Sequence, residues 1–209
     1  DTKKIIDNLT NMQKHFPDLI VKKIKVSVFK HVYIITTDSV SSGDKVNDFI
    51  LKYYANKSLI KKSFESIKKE INNFVPAINM KEITKEEDVL YFVYNGFTVI
   101  LADGEEEGYA FETRAEIDRG VTESSSEPNI KGPKDSFTEN YQKNIGLIRK
   151  RIKSEDLYLD EVTLGKESKT KVGIFYMNNI CEDELVTNVK EKLNEIDIDG
   201  VLDNGYLKE

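Results

Sequence analysis

All four arginines of the chain, Arg114, Arg119, Arg149 and Arg151, lie just before or within one stretch, residues 120–152. A guanidinium presents a planar fork of donors that closes on a carboxylate with two parallel hydrogen bonds, a contact a lysine does not reproduce. Glu112, Glu123 and Glu127 lie in the same neighbourhood of sequence. This constellation points to a fixed Arg–Glu clasp rather than to catalysis; the alternative is free charge on a solvated helix end. Other chemistry-bearing residues are sparse. His15, His31 and Cys181 are too few for a structural zinc site, and each histidine reads as an edge or turn residue. Nucleophile-elbow, P-loop and HExxH spacings are absent. The turn Gly104-Glu-Glu-Glu-Gly108 is spaced like a phosphate loop, but three carboxylates repel phosphate. With 37 Asp and Glu in the chain, pairs such as Glu86/Glu87 and Asp183/Glu184 fall together by chance. The sequence thus predicts no catalytic residue, no metal site and no cofactor.

Arg149 and Arg151 must be held by a helix. Gly132-Pro133 gives a rigid bend, and Ser136-Phe-Thr-Glu139 has capping-box spacing at a helix start, followed by Asn140. Phe137, Tyr141, Ile145, Ile148 and Ile152 then recur every three or four residues, predicting one apolar face. Arg149, Lys150, Arg151 and Lys153 load the last turn, where cations complement the helix dipole. Arg119, Glu127, Gly132, Pro133, Ser136, Glu139, Asn140, Arg149 and Arg151 are the candidate residues of an interdomain joint.

On either side the pattern alternates between strand and helix. Ahead of the joint, the spacing predicts a helix over 2–14, strands over 19–29 and 32–37, helices over 45–55 and 60–74, and a helix begun by the capping box Thr84-Lys-Glu-Glu87. Asn95-Gly96 reads as its left-handed stop, and strands follow over 97–102 and 109–114. Behind the joint come strands over 157–164 and 171–177, a helix over 184–193 with Leu185, Val186, Val189 and Leu193 inward, and a last strand or extended loop over 196–202. The fold class is mixed α/β, with two small subdomains: 1–118, a linker and spine helix over 119–153, and 154–209 with the spine helix packed on it. Ser124, Ser125 and Ser126 between acidic residues read as linker. Val32–Val40 also lies over Val172–Ile180 without a gap, and the register continues to match Val46 with Val186. Either a duplication or the generic strand–loop–helix unit explains this match. Two such units would place Asp38 and Ser39 on one rim, and Asn178 and Asn179 on the other, of a ligand cleft.

Composition sets outer limits. Of 209 residues, 39% are hydrophobic, enough for a core. The net charge of -6 argues against a nucleic-acid partner. The charge is uneven: the first 80 residues hold 14 Lys against 8 Asp and Glu, which reads as solvated helix faces or as a surface for acidic partners or anionic lipid. One cysteine excludes an internal disulfide and fits a reducing compartment. No apolar run approaches the ~18–20 residues that cross a bilayer, and a start at Asp1 fits a piece of a longer chain.

Arg119-Gly-Val121, Glu127-Pro-Asn-Ile-Lys-Gly-Pro-Lys-Asp-Ser-Phe-Thr-Glu-Asn140 and Asn144-Ile-Gly-Leu-Ile-Arg-Lys-Arg-Ile152 together resemble the signature of spore germinant receptor A subunits, the GerA family. Lys169–Tyr176 and Ile196–Leu202 with Gly205-Tyr206 are similar to it as well; the resemblance is dense over 119–206 and thinner over 17–118. Lys131, Lys134 and Ser136 depart from it, standing where the family pattern has Arg, Arg and Gly. The resemblance implies a multi-pass protein of the spore inner membrane, of which this chain is the soluble N-terminal domain on the cytosolic, spore-core side. It further implies work in nutrient-triggered germination with B and C subunits and with the chain's own membrane domain, as a homo-oligomer, and no enzymatic residues. Two roles are then open: a signalling and assembly module, or a module that binds a small germinant in a cleft between the subdomains.

Overall fold

The computed structural model describes residues 2–25, 31–48, 79–116, 136–201 and 205. It is mixed α/β, as the periodicity predicts. In chain order the elements are α1 (Thr2–Met12), β1 (Leu19–Lys25), β2 (His31–Thr37), a short α2 (Gly43–Val46), β3 (Met80–Ile83), α3 (Glu86–Tyr94), β4 (Phe97–Ala102) and β5 (Gly108–Glu112). Then follow α4 (Tyr141–Arg151), β6 (Leu157–Leu164), β7 (Thr170–Met177) and α5 (Asp183–Asn194). Most of the predicted helix over 45–55, all of that over 60–74, the serine linker and the Gly132-Pro133 bend lie outside the described residues.

The chain forms two compact units. The first comprises Asp1–Gln13 and Asp18–Lys153, the second Lys14–Pro17 and Ser154–Glu209. The spine helix α4 therefore belongs with the first unit, whereas the sequence places it on the C-terminal subdomain. The reason is a polar anchor and an apolar one: Arg149 is held by Asp18, and Leu147 packs on Val40. Residues 14–17 join the second unit because the Leu159 N–H donates to the His15 carbonyl at 2.8 Å.

In the first unit a five-stranded antiparallel sheet runs β1-β2-β4-β5-β3. β4 is buried at every position and β2 at all but His31. That accounts for continuous apolar runs without alternation, as expected of strands covered on both faces. Burial of Ile34, Ile35, Val99 and Ile100 at the sheet centre contributes about 1.5–3 kcal/mol for each side chain. Thr36, Thr98 and Thr113 thread a buried hydroxyl chain through this core, ending on the Gly96 carbonyl. α3 packs against β4. Its N-cap is Lys85, with no side-chain cap bond, so the predicted Thr84 box does not form. Its stop is as predicted, with Gly96 at φ +81°.

The second unit is a β6–β7 hairpin with α5 against β6. Only Val186 of α5 is buried; Leu185 and Val189, predicted inward, face solvent. No strand forms over 196–201, where the chain loops back to hydrogen-bond residues 166–168. Here Asp160 is buried and central. Its carboxylate accepts from His15 Nδ1 at 2.8 Å, from the Tyr176 hydroxyl at 3.3 Å and from Lys190. Tyr158 stacks on the His15 ring. Burial opposes the charge on Asp160, but the hydrogen bonds from Lys190 and His15 outweigh it, so the carboxyl titrates below its usual range. Burial first, and Asp160 second, push the Tyr176 hydroxyl well up.

The depressed Asp160 carboxyl fixes the sign of an acid effect. The unfolded chain takes up the proton near pH ~3.9, before the folded protein does. Its stabilising contribution is therefore complete above that value and declines as pH falls through the lower folded value. Urea unfolding from pH 7 down to 3 is expected to show a shallower acid decline in Asp160→Asn than in the parent chain. Parallel declines would contradict the assigned hydrogen bonds.

Candidate functional site

The candidate site is assembled by two converging strand ends and one helix, all in the first unit. β1 and β2 pair antiparallel with Leu19 opposite Thr37, which brings Asp18, just before β1, beside the turn after β2. The Asp38 N–H donates to the Asp18 carbonyl at 3.1 Å, fixing that turn. α4 lies along it. Asn140 caps the helix, its side-chain oxygen accepting from the Lys143 N–H at 2.9 Å, so the predicted start at Ser136 moves downstream by four residues. Asn144 reaches back to accept the Thr138 N–H at 2.8 Å and to donate to the Thr138 carbonyl at 2.7 Å, which ties the entering chain to the first turn.

Three contacts then step along α4. Gln142 donates to the Asp38 carboxylate at 3.1 Å. Leu147 packs on Val40, with Ala115 against the pair. Arg149 closes its fork on Asp18, Nε to Oδ2 at 2.6 Å and Nη2 to Oδ1 at 2.7 Å. The Ser39 hydroxyl donates a further bond to Asp18 Oδ2 at 2.6 Å, and the guanidinium stands 4.8 Å from the Tyr94 ring centroid. Arg149 is 1% exposed. An ion pair this deep is held by good geometry and by satisfied remaining groups, since each charge gives up its hydration. The serine and the tyrosine face supply that support.

The expected clasp of linker to helix rests on Arg119, Glu123 and Glu127, which lie outside the described residues; what the structure shows is the pairing of Arg149 with Asp18. The sequence expects a glutamate near the linker; the structure gives Arg149 an aspartate 131 residues away. Glu112 pairs instead with Arg114, at 3.5 Å on the surface. Arg119, Glu127, Gly132 and Pro133 lie outside the described residues. Ser136 lines a surface cavity of about 230 Å³ with Phe137, Leu147, Ile148 and Arg151. Glu139 and Arg151 are exposed. The predicted apolar face is rotated: Ile145 and Leu147 are buried, while Phe137 and Ile152 are exposed. Of the predicted rim, Asp38 and Ser39 are engaged by the joint, and Asn178 and Asn179 sit exposed in the turn after β7. Each histidine takes a carboxylate partner, His15 with Asp160 and His31 with Asp103 at 2.9 Å. Burial disfavours the Asp103 charge, but hydrogen bonds from the His31 ring and backbone prevail and hold its carboxyl below the usual range. Among the described residues no cluster of three His, Cys, Asp or Glu is placed to hold a metal.

The Arg149–Asp18 pair fixes α4 to the first unit's sheet, and the family of the chain comes from comparison with known proteins. The sequence profile of the family described as Bacillus/Clostridium GerA spore germination protein matches residues 7–209. The chain belongs to the GerA family. Among GerA relatives it is 25% identical over 194 residues to spore germination protein KA of Bacillus subtilis, covering 92% of this chain and 36% of that one. It is 32% identical over 152 residues to spore germination protein XA of Bacillus anthracis, covering 72% of this chain and 31% of that one. The GerA chain thus spans about a third of the length of these relatives. Its fold is similar to the crystal structure of the N-terminal domain of the A subunit of the Bacillus megaterium spore germinant receptor GerK3. The TM-score is 0.69 at 21% identity, over 99% of this chain and 74% of that one.

Proposed function

We propose that this GerA-family chain is the N-terminal region of a germinant receptor A subunit and serves nutrient-triggered germination as a non-enzymatic signalling and assembly module. The observation that carries the reading is the buried Arg149–Asp18 pair inside a domain matched by the GerA family over residues 7–209. A joint that couples a helix rigidly to a sheet suits transmission of a displacement; its Asp18 carboxylate is held by both Arg149 and the Ser39 hydroxyl. On this reading the rest of the protein is a membrane domain in the spore inner membrane, and this region lies on its cytosolic side. Its partners are the B and C subunits and further copies of itself. Among the described residues no helix is long and apolar enough to cross a membrane.

The test is Arg149→Ala and Glu127→Ala in the full-length protein within spores. Reduced receptor levels or slowed nutrient germination are expected, with germination by a receptor-independent trigger intact. Normal levels and normal nutrient germination in both variants would overturn the reading. A second reading, capture of a small germinant, is favoured by a cavity of about 540 Å³ in the first unit, lined by Lys3, Glu86, Asp103 and the Glu105–Glu107 turn among others. Amide shifts at these residues on titration with amino acids or sugars support it; silence at high ligand concentration removes it.

A further inference from the structure

The site on the first unit has an architectural twin in the second. β1–β2 with its turn and α2 corresponds to β6–β7 with its turn and α5. Both second strands end in a three-residue turn, at 38–40 and 178–180, and both helices begin at the third residue beyond it. Leu19 pairs with Thr37 in one hairpin, and Leu157 with Met177 in the other. The Asp38 N–H donates to the Asp18 carbonyl at 3.1 Å; likewise the Asn178 N–H donates to the Asp156 carbonyl at 2.8 Å. Val46 and Val186 are the buried residues of the first turns of α2 and α5. The superposition is thus set by strand register, turn, backbone bond and helix packing.

The twins differ in what lies on them. In the first unit α4 presents Gln142 to Asp38, Leu147 to Val40 and Arg149 to Asp18. The corresponding residues in the second unit are Asn178, Ile180 and Asp156. Val40 is 4% exposed under α4, whereas Ile180 is 78% exposed. Leu185 and Val189 of α5 are exposed as well. The second face is also the more acidic: Glu155 precedes Asp156, and Glu182, Asp183 and Glu184 stand at the start of α5, all four exposed. An exposed apolar residue in a turn whose backbone is bonded to Asp156, with acidic residues at the adjoining strand and helix starts, is complementary to a helix with an aliphatic side chain and an arginine two positions apart.

We propose that this face of the second unit docks an amphipathic helix of a partner polypeptide in the manner of α4. The helix carries a Leu-x-Arg pair in a basic last turn. Its aliphatic side chain covers Ile180, and its guanidinium pairs with Asp156. The proposal rests on the fold of this chain alone and is independent of the receptor reading.

A labelled peptide of residues 138–153, which holds Leu147 and Arg149, serves as probe against the 209-residue chain in fluorescence anisotropy. One saturable site is expected, weakening as salt rises. Ile180→Lys or Asp156→Asn in the protein, and Arg149→Ala in the peptide, should each weaken binding about tenfold or more. The two protein variants should melt like the parent, because Ile180 and the Asp156 carboxylate are not in its core. Absence of saturable binding overturns the proposal. So does binding that the two variants leave unchanged, since that would locate the peptide on the first unit by exchange with α4. Self-association abolished by Ile180→Lys, without peptide binding, would assign the face to a second copy of this chain and equally overturn it.

Discussion

Arg149→Ala is expected to lower the unfolding free energy by about 3–5 kcal/mol, because it leaves the Asp18 charge buried and without its fork. The cost lies in the stranded partner more than in the lost attraction. Asp18 is itself 1% exposed, and Ser39 contributes a single neutral donor. Arg149→Lys should recover only part of the loss, since an ammonium cannot span both carboxylate oxygens in the geometry Nε and Nη2 use here. The informative comparison is the double variant Arg149→Met with Asp18→Leu. Removing both charges removes both desolvation costs, so the double variant should be more stable than either single one. Urea midpoints at constant slope measure all of these. Single variants within about 1 kcal/mol of the parent would show that the pair is bathed in water, in the range of surface ion pairs.

A second large effect is expected at Gly96. It stands at φ +81°, where a side chain costs about 1–2 kcal/mol. A Cβ there would also lie 2.9 Å from the Val40 carbonyl oxygen and 2.9 Å from Arg114 Cγ. The arginine can move aside, but the carbonyl cannot: it accepts from the Ala115 N–H at 2.9 Å. Gly96→Ala should therefore cost about 2–4 kcal/mol, strain and overpacking together. Gly104 is the control. Its φ is +78°, yet nothing lies within 4 Å of its would-be Cβ. Gly104→Ala should show the backbone strain alone, about 1–2 kcal/mol. Melting temperatures of the two variants read the difference directly; equal shifts would mean that the loop around Val40 yields.

Most elements were legible because their signals are local. The β6–β7 hairpin follows from two apolar- and aromatic-bearing runs around a polar turn, and its predicted strand ends fall within one residue of those observed. The stop at Asn95-Gly96 follows from one glycine. The candidate joint was legible as a helix with arginines, but not as a buried one. Nothing near Arg149 distinguishes it from Lys150 or Arg151, and the residue that does so, Asp18, follows Pro17 at the far end of the chain. The apolar face of α4 misled for a related reason. Phe137 and Ile152 fit the period, but they fall outside the helix bounds Tyr141–Arg151 and are exposed. On α5 the period is real and the burial is not, because a two-stranded hairpin offers too little surface to cover Leu185 and Val189. Periodicity reports which residues share a face; it is silent on whether anything covers it.

Residues 14–17 belong to the second unit although the rest of that unit begins at Ser154. Seen from the ribosome, this sets an order of events. His15 emerges early, and its partners Asp160 and Tyr176 emerge some 145 and 161 residues later. Asp18 waits likewise for Arg149, 131 residues away. Loop closure over such separations is slow, and strands left unpaired meanwhile are exposed to wrong partners. The first unit can close once the chain through residue 153 is available, whereas the second cannot be completed from the stretch after residue 153 alone and has to recruit residues 14–17. A fragment cut at residue 154 would lack the segment that carries His15 and Phe16, and an expression boundary for the second unit has to include it.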